Sequence, residues 1–192
     1  MSDARVYFDT SIWYSYMVKD KHTEKAKKLF AYAEENKIKI AVSHLVLLEL
    51  FDIIRKRTIE NSEYNGLSDD RKKQLIQNYE DTRQEIAEKI SKLWKAEKIE
   101  IKDPDNKIVD HYKNIYKYLV QSFGDIGQKD WCFDCKCKMP QIKYKYQGTG
   151  HLDIQHALIA RDFQIKQFVT FDKGFSEIIK NKEFESLKIE IY

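Results

Sequence analysis

The chain has 192 residues, 42% hydrophobic and 34% charged, with a formal net charge of +3. That balance excludes a disordered chain, and the length allows a buried core without disulfide staples. No apolar run approaches the roughly 18 residues of a membrane span and the start lacks a signal-peptide pattern, so no membrane partner is expected and a cytoplasmic protein is.

In chain order, residues 5–8 (RVYF) predict a strand, and Asp9 follows at once. Residues 23–36 (TEKAKKLFAYAEEN) predict an amphipathic helix with Thr23 as cap. Residues 38–42 (IKIAV) predict a second strand, after which Ser43 caps the apolar helix HLVLLELFDIIRKR. Residues 58–68 read as a polar loop with Asn65-Gly66. Residues 69–97 predict a long helix, with Leu75, Tyr79, Ile86, Ile90 and Leu93 near helical spacing. A short strand over 99–102 stops before Asp103-Pro104. A helix over 105–123 carries Ile108, Tyr112, Ile115, Tyr116 and Leu119 on one stripe, and 124–150 reads as irregular. A helix over 152–163, a buried-type strand over 167–171 (QFVTF) and a closing strand in LKIEIY complete the chain.

Strands alternating with helices predict an α/β fold, a three-layer α/β/α sandwich around a mostly parallel sheet. The expectation is one domain over 1–192, with 58–150 as a helical insertion and cysteine-containing loop. In such sheets, sites gather beyond the carboxyl ends of the strands. Asp9 and Asp172 both stand there.

Four acids occupy apolar or sharply defined contexts: Asp9 after the first strand, Glu49 within LVLLELFDII, Asp153 opening LDIQHALIARD, and Asp172 after FVTF. Each alone has an ordinary reading. Asp at a strand end is commonly a turn or helix-cap residue, Asp153 could cap its helix, and Glu49 could pair with a basic side chain. Together, four converging carboxylates would repel, and a hard divalent cation such as Mg²⁺ or Mn²⁺ resolves that conflict. Asp52, one turn beyond Glu49, rivals it but has Arg55 and Lys56 at helical spacing, as a solvated ion pair would.

The segments VYFDTS, VSHLVLLEL, GHLDIQHALIA and VTFD resemble, in order and context, the four acidic motifs of the PIN-domain ribonucleases, including VapC-type toxins. The resemblance covers residues 5–57 and 150–191 well and the middle poorly, because Glu49 and Asp153 lie 104 residues apart. It implies a Mg²⁺- or Mn²⁺-dependent endoribonuclease acting on RNA, with Asp9, Glu49, Asp153 and Asp172 as catalytic metal ligands. It also implies supporting hydroxyls from Thr10 and Ser11 at the first acid, Ser43 near the site, and Thr170 at the last. An antitoxin protein and a second copy of the chain are partners the resemblance brings with it. A catalytically inactive PIN-like module that binds RNA or protein is the alternative. A haloacid-dehalogenase-type phosphatase also begins with a strand ending in Asp, but it uses a second Asp two residues on, where this chain has Ser11.

Three further features stand outside that pattern. His156, three residues after Asp153, shares its helix face and reads as a packing histidine or a proton shuttle. Cys132, Cys135 and Cys137 could hold a structural Zn²⁺ if His151, His111 or Asp134 supplied a fourth ligand, or remain free thiols or one labile disulfide. Lys143, Tyr144, Lys145 and Tyr146 alternate cation and aromatic, as an RNA-contacting strand or a plain hairpin would.

Overall fold

The computed structural model describes residues 5–59, 66–101, 151–176, 178–180 and 184–192. The helix expected over 105–123, Cys132, Cys135 and Cys137, and Lys143 to Tyr146 lie outside the described residues. The chain divides into two compact units, Met1–Lys102 and Asp103–Tyr192. Strands alternate with helices in both, and the fold class is the expected α/β one with parallel strands.

In the first unit, β1 (Arg5–Phe8), β2 (Lys39–Val42) and β3 (Ile99–Ile101) form a parallel ladder with β2 in the middle. The last three residues of β1 and of β2 are all buried, the uninterrupted burial of strands covered on both faces. Between β1 and β2 run α1 (Thr10–Met17) and α2 (Thr23–Glu35). The sequence pattern marks no element over 10–17, because a short helix buried on most sides shows little amphipathic contrast: Thr10, Ile12, Trp13, Tyr14 and Ser15 are all buried. Phe30 of α2 meets Phe8 and Trp13 edge-on at 5.1 and 5.0 Å and stacks on Tyr16 at 3.7 Å, so one ring joins strand to both helices. Thr23 does not cap α2. His22 occupies the cap position, and the Thr23 hydroxyl accepts from the Asp20 amide at 2.7 Å.

Beyond β2, α3 (His44–Ile59) lies against α1 and α4 (Asp69–Lys95). Ser43 caps α3 by accepting from the Val46 amide at 3.3 Å, and Ser68 caps α4 by accepting from Arg71. Arg57, near the end of α3, donates to the Tyr14 hydroxyl at 2.8 Å. On α4 only Ile86 and Ile90 are buried, while Leu75, Tyr79 and Leu93 of the same stripe are half-buried.

The second unit contains α5 (His151–Asp162), β4 (Gln167–Thr170), two short 3-10 turns (Lys173–Ser176 and Ile178–Lys180) and β5 (Lys188–Ile191). β4 and β5 pair in parallel. Residues 154–160 of α5 are buried without a break, which explains its weak amphipathic pattern in the sequence. Phe168 of β4 meets Phe175 of the first turn at 4.8 Å.

Three helix-to-strand joints share one geometry. Lys37, Glu97 and Gln164 have φ of 55°, 54° and 55°, each two residues past the end of α2, α4 or α5. At each joint that residue's amide returns to the carbonyl three back, and the next amide to the carbonyl five back, as with Ile38 to Ala33 at 2.8 Å. This is the Schellman arrangement, usually built on glycine. A side chain in this left-handed region costs about 1 kcal/mol. Gln164→Gly should therefore raise the unfolding free energy only slightly, by about 0.5 kcal/mol at most, after the added freedom of the unfolded chain is subtracted. Urea denaturation of the two proteins checks this.

Candidate functional site

The first unit holds two of the expected acids. Asp9 stands at the junction of β1 and α1, only 5% exposed, and caps the helix. The Ser11 hydroxyl donates to its carboxylate at 2.9 Å and the Ser11 amide at 3.4 Å, while the Asp9 carbonyl accepts from Ile12 and Trp13. A carboxylate at a helix N-terminus is favoured by the unsatisfied amides there. Glu49 projects from α3 and is half-buried. Its carboxylate accepts from the Thr10 hydroxyl at 2.6 Å. The Thr10 hydroxyl thus meets Glu49, and the Ser11 hydroxyl meets Asp9.

Carboxylate oxygens of Asp9 and Glu49 lie within 4.8 Å of each other. Two oxygen ligands at that separation suit a hard divalent cation. Tyr7, to which the sequence pattern assigns no role, sits beneath them. It is fully buried, and its hydroxyl shares a 2.8 Å hydrogen bond with Ser43. Burial pushes its ionisation well above the usual tyrosine range, and the charges of Asp9 and Glu49 push it further. Residue alternation along β1 could have signalled Tyr7, since two residues before Asp9 it lies on the strand face that leads to that acid. Asp52 stays apart from this pair. It bonds Arg55 at 2.7 Å and Lys56 at 2.6 Å, and those two donors hold its carboxyl below the usual range.

The second unit holds the other two. Asp153 lies half-buried in the first turn of α5, and His156, a turn later, is 1% exposed. Asp172 is exposed, two residues past the end of β4. One of its oxygens accepts from the Gly174 amide at 2.7 Å, which starts the 3-10 turn. Thr170 is fully buried, and its hydroxyl accepts from the Asp172 backbone amide at 2.8 Å. Asp172 thus performs the turn-capping role that strand-end aspartates commonly have.

A family model described as PIN domain matches residues 6–130. Its span takes in Asp9 and Glu49, runs through the middle of the chain where the motif resemblance is poor, and ends before Asp153 and Asp172. No curated protein matches the chain. One similar solved structure is the crystal structure of VapBC2 from Rickettsia felis bound to a DNA fragment from their promoter, matched at 20% identity over 97% of this chain and 98% of that one, with a TM-score of 0.47.

The Tyr7 environment has a pH signature. Below pH about 10 a tyrosine is neutral in folded and unfolded chains alike. Above it the unfolded Tyr7 loses its proton while the folded one keeps it, so the unfolded state binds fewer protons and stability falls as pH rises. Tyr7→Phe should lessen that alkaline fall, while costing about 1 kcal/mol at neutral pH because the Ser43 hydrogen bond is gone. Denaturation midpoints on the two sides of the tyrosine range measure both effects.

Proposed function

The chain belongs to the PIN-domain family, and on that premise we propose that it is a metal-dependent endoribonuclease, a toxin of the toxin–antitoxin kind. The observation that carries this reading is the pair Asp9 and Glu49, with carboxylate oxygens within 4.8 Å and each acid held by its own hydroxyl donor. In this proposal Asp9, Asp153 and Asp172 are the principal ligands of Mg²⁺ or Mn²⁺, and Glu49 completes the set. Such an ion supplies charge neutralisation at the phosphodiester and a more acidic water. The residues of the chain do the positioning. Ser11 fixes the Asp9 carboxylate, Thr10 fixes Glu49, and Ser43 with Tyr7 sets where α3 begins relative to β1. His156, buried one turn after Asp153, supports that acid's helix face or passes a proton.

The reading extends to one PIN-like domain over 1–192 with 58–150 inserted in it, an antitoxin and a second copy of the chain as partners, and RNA as substrate. Among the described residues no helix is long and apolar enough to cross a membrane. A structural Zn²⁺ at Cys132, Cys135 and Cys137 remains part of the proposal for the inserted segment.

Manganese-dependent cleavage of single-stranded RNA tests the assignment. The native protein should cleave and Asp9→Asn should fall to background. Ser11→Ala should lose roughly 10- to 100-fold, because it leaves the ligand in place without the hydroxyl that orients it. Equal cleavage by native protein and Asp9→Asn would overturn the reading, and tight RNA binding without cleavage in either metal would support the inactive-module alternative.

A further inference from the structure

The seam between α1 and α3 carries a second pairing besides the one at the acids. Thr10 and Tyr14 stand one turn apart on α1 and share the face it turns toward α3. Thr10 meets Glu49 of α3 at 2.6 Å. Tyr14 meets Arg57 of α3 twice. Its hydroxyl accepts from the guanidinium Nη1 at 2.8 Å, and the guanidinium carbon lies 4.4 Å from the centre of its ring. Tyr14 is buried, whereas Arg57 is exposed. A guanidinium laid on a ring and hydrogen-bonded to the same side chain is fixed in place, unlike a cation at the end of a free stem.

Arg57 has structural reasons to stand there. It covers the Tyr14 ring, ties the end of α3 to α1, and suits the negative end of its helix. Nor is the lack of an acid what sets it apart. Among the described residues Arg57 has no acidic partner, and Asp52 is taken by Arg55 and Lys56. Lys73 and Lys92 of α4 have none either, and Glu60, three positions after Arg57, lies outside the described residues. What sets Arg57 apart is that its charge is held still, and where it is held.

Glu49, Ile53 and Arg57 follow one another at four-residue spacing on α3, so they form a row that turns only slowly around the helix. Glu49 to Arg57 spans about 12 Å of helix axis. Helical side chains lean toward the N-terminus, and the guanidinium is received by Tyr14, only about 6 Å along α1 from the residue that holds Glu49. The fixed cation therefore lies roughly 6–12 Å from the acid pair, on the same seam. A single strand whose backbone enters beside Asp9 and Glu49 carries its neighbouring phosphates through that distance. One N–H of the guanidinium goes to Tyr14, and its planar fork has further donors of the kind that grip a phosphate.

We propose that Arg57, seated on Tyr14, is a phosphate-binding residue for single-stranded RNA, holding a backbone phosphate close to the one that the acid pair addresses. This deepens the nuclease reading and rests on it for the identity of the polyanion. The Tyr14 ring and hydroxyl place the cation before the strand arrives, so little side-chain freedom is lost on binding. The seam then offers the strand a metal site at Asp9 and Glu49 and a fixed positive charge beyond it, with the half-buried Ile53 between them.

Binding of a fluorescently labelled single-stranded RNA, followed by anisotropy in EDTA over a range of salt, tests this seat apart from the chemistry. The native chain is compared with Arg57→Met, which keeps an apolar cover on the Tyr14 ring, with Arg57→Lys and with Tyr14→Phe, and urea midpoints are measured for all four. Arg57→Met should bind about 5- to 10-fold more weakly at low salt, with the log–log salt slope shallower by about 0.7, the value for one phosphate no longer neutralised. Arg57→Lys should restore the slope but not the full affinity, since an ammonium lacks the planar fork. Tyr14→Phe should keep the slope and weaken binding by about 2- to 5-fold, because the cation is then less firmly placed. Native affinity and slope in Arg57→Met, whatever its urea midpoint, would make Arg57 a cover for Tyr14 or a partner of Glu60 and overturn the proposal, even if the protein cleaves RNA with manganese. RNA binding that depends on Arg57, without cleavage in either metal, would overturn the nuclease reading and leave the phosphate seat standing.

Discussion

The parallel register of β1 on β2 governs the arrangement of the first unit. Val6 lies opposite Ile40 and Tyr7 opposite Ala41. Continued two steps, the same register sets Asp9 level with Ser43. Both strands stop there and both are followed at once by a helix, so each of these residues must satisfy the first amides of a new helix. Asp9 does so for α1 and Ser43 for α3. Two caps side by side fix where both helices begin, and six residues into the second of them stands Glu49. The Tyr7–Ser43 hydrogen bond closes this arrangement from below.

Magnitudes show why the acid pair can exist in the folded chain. Two carboxylates with oxygens within 4.8 Å of each other repel by a few kcal/mol at the effective dielectric of a protein site. A hydrogen bond from a hydroxyl to a charged acceptor returns about 1.5–3 kcal/mol, and each acid has one, from Ser11 or Thr10. The local donors thus offset most of the repulsion. An arriving cation would meet ligands already oriented, and its binding energy would not be consumed in ordering them.

Much of this was legible in the sequence, for physical reasons that also explain the rest. β1, β2 and β4 are short apolar runs ending at a polar residue, and their positions follow from pattern. Ser43 as the cap of α3 and Asp52 as an ion-paired residue were readable from local spacing. The helix α1 was not, because burial on nearly all sides erases the periodicity that marks a surface helix. The partner of Thr10 was not, because it is 39 residues away in the chain and depends on how α3 packs against α1. For Thr170, spacing gave the right neighbour, since its hydroxyl accepts from the Asp172 amide. The family itself was readable from the motifs, and the PIN-domain match over residues 6–130 bears it out.

The three left-handed joints carry a consequence of a different kind. Lys37, Glu97 and Gln164 have one backbone conformation and one hydrogen-bond pattern, yet their side chains are positive, negative and neutral. The turn is specified by main-chain geometry alone. Each joint immediately precedes a strand, and so lies at the amino end of its ladder, away from the end where Asp9 or Asp172 stands in the same unit. Charge at these positions can change sign without altering the turn. The protein therefore has, at the ends of its strands remote from the acids, sites where surface potential can drift freely while the acid-bearing ends stay fixed.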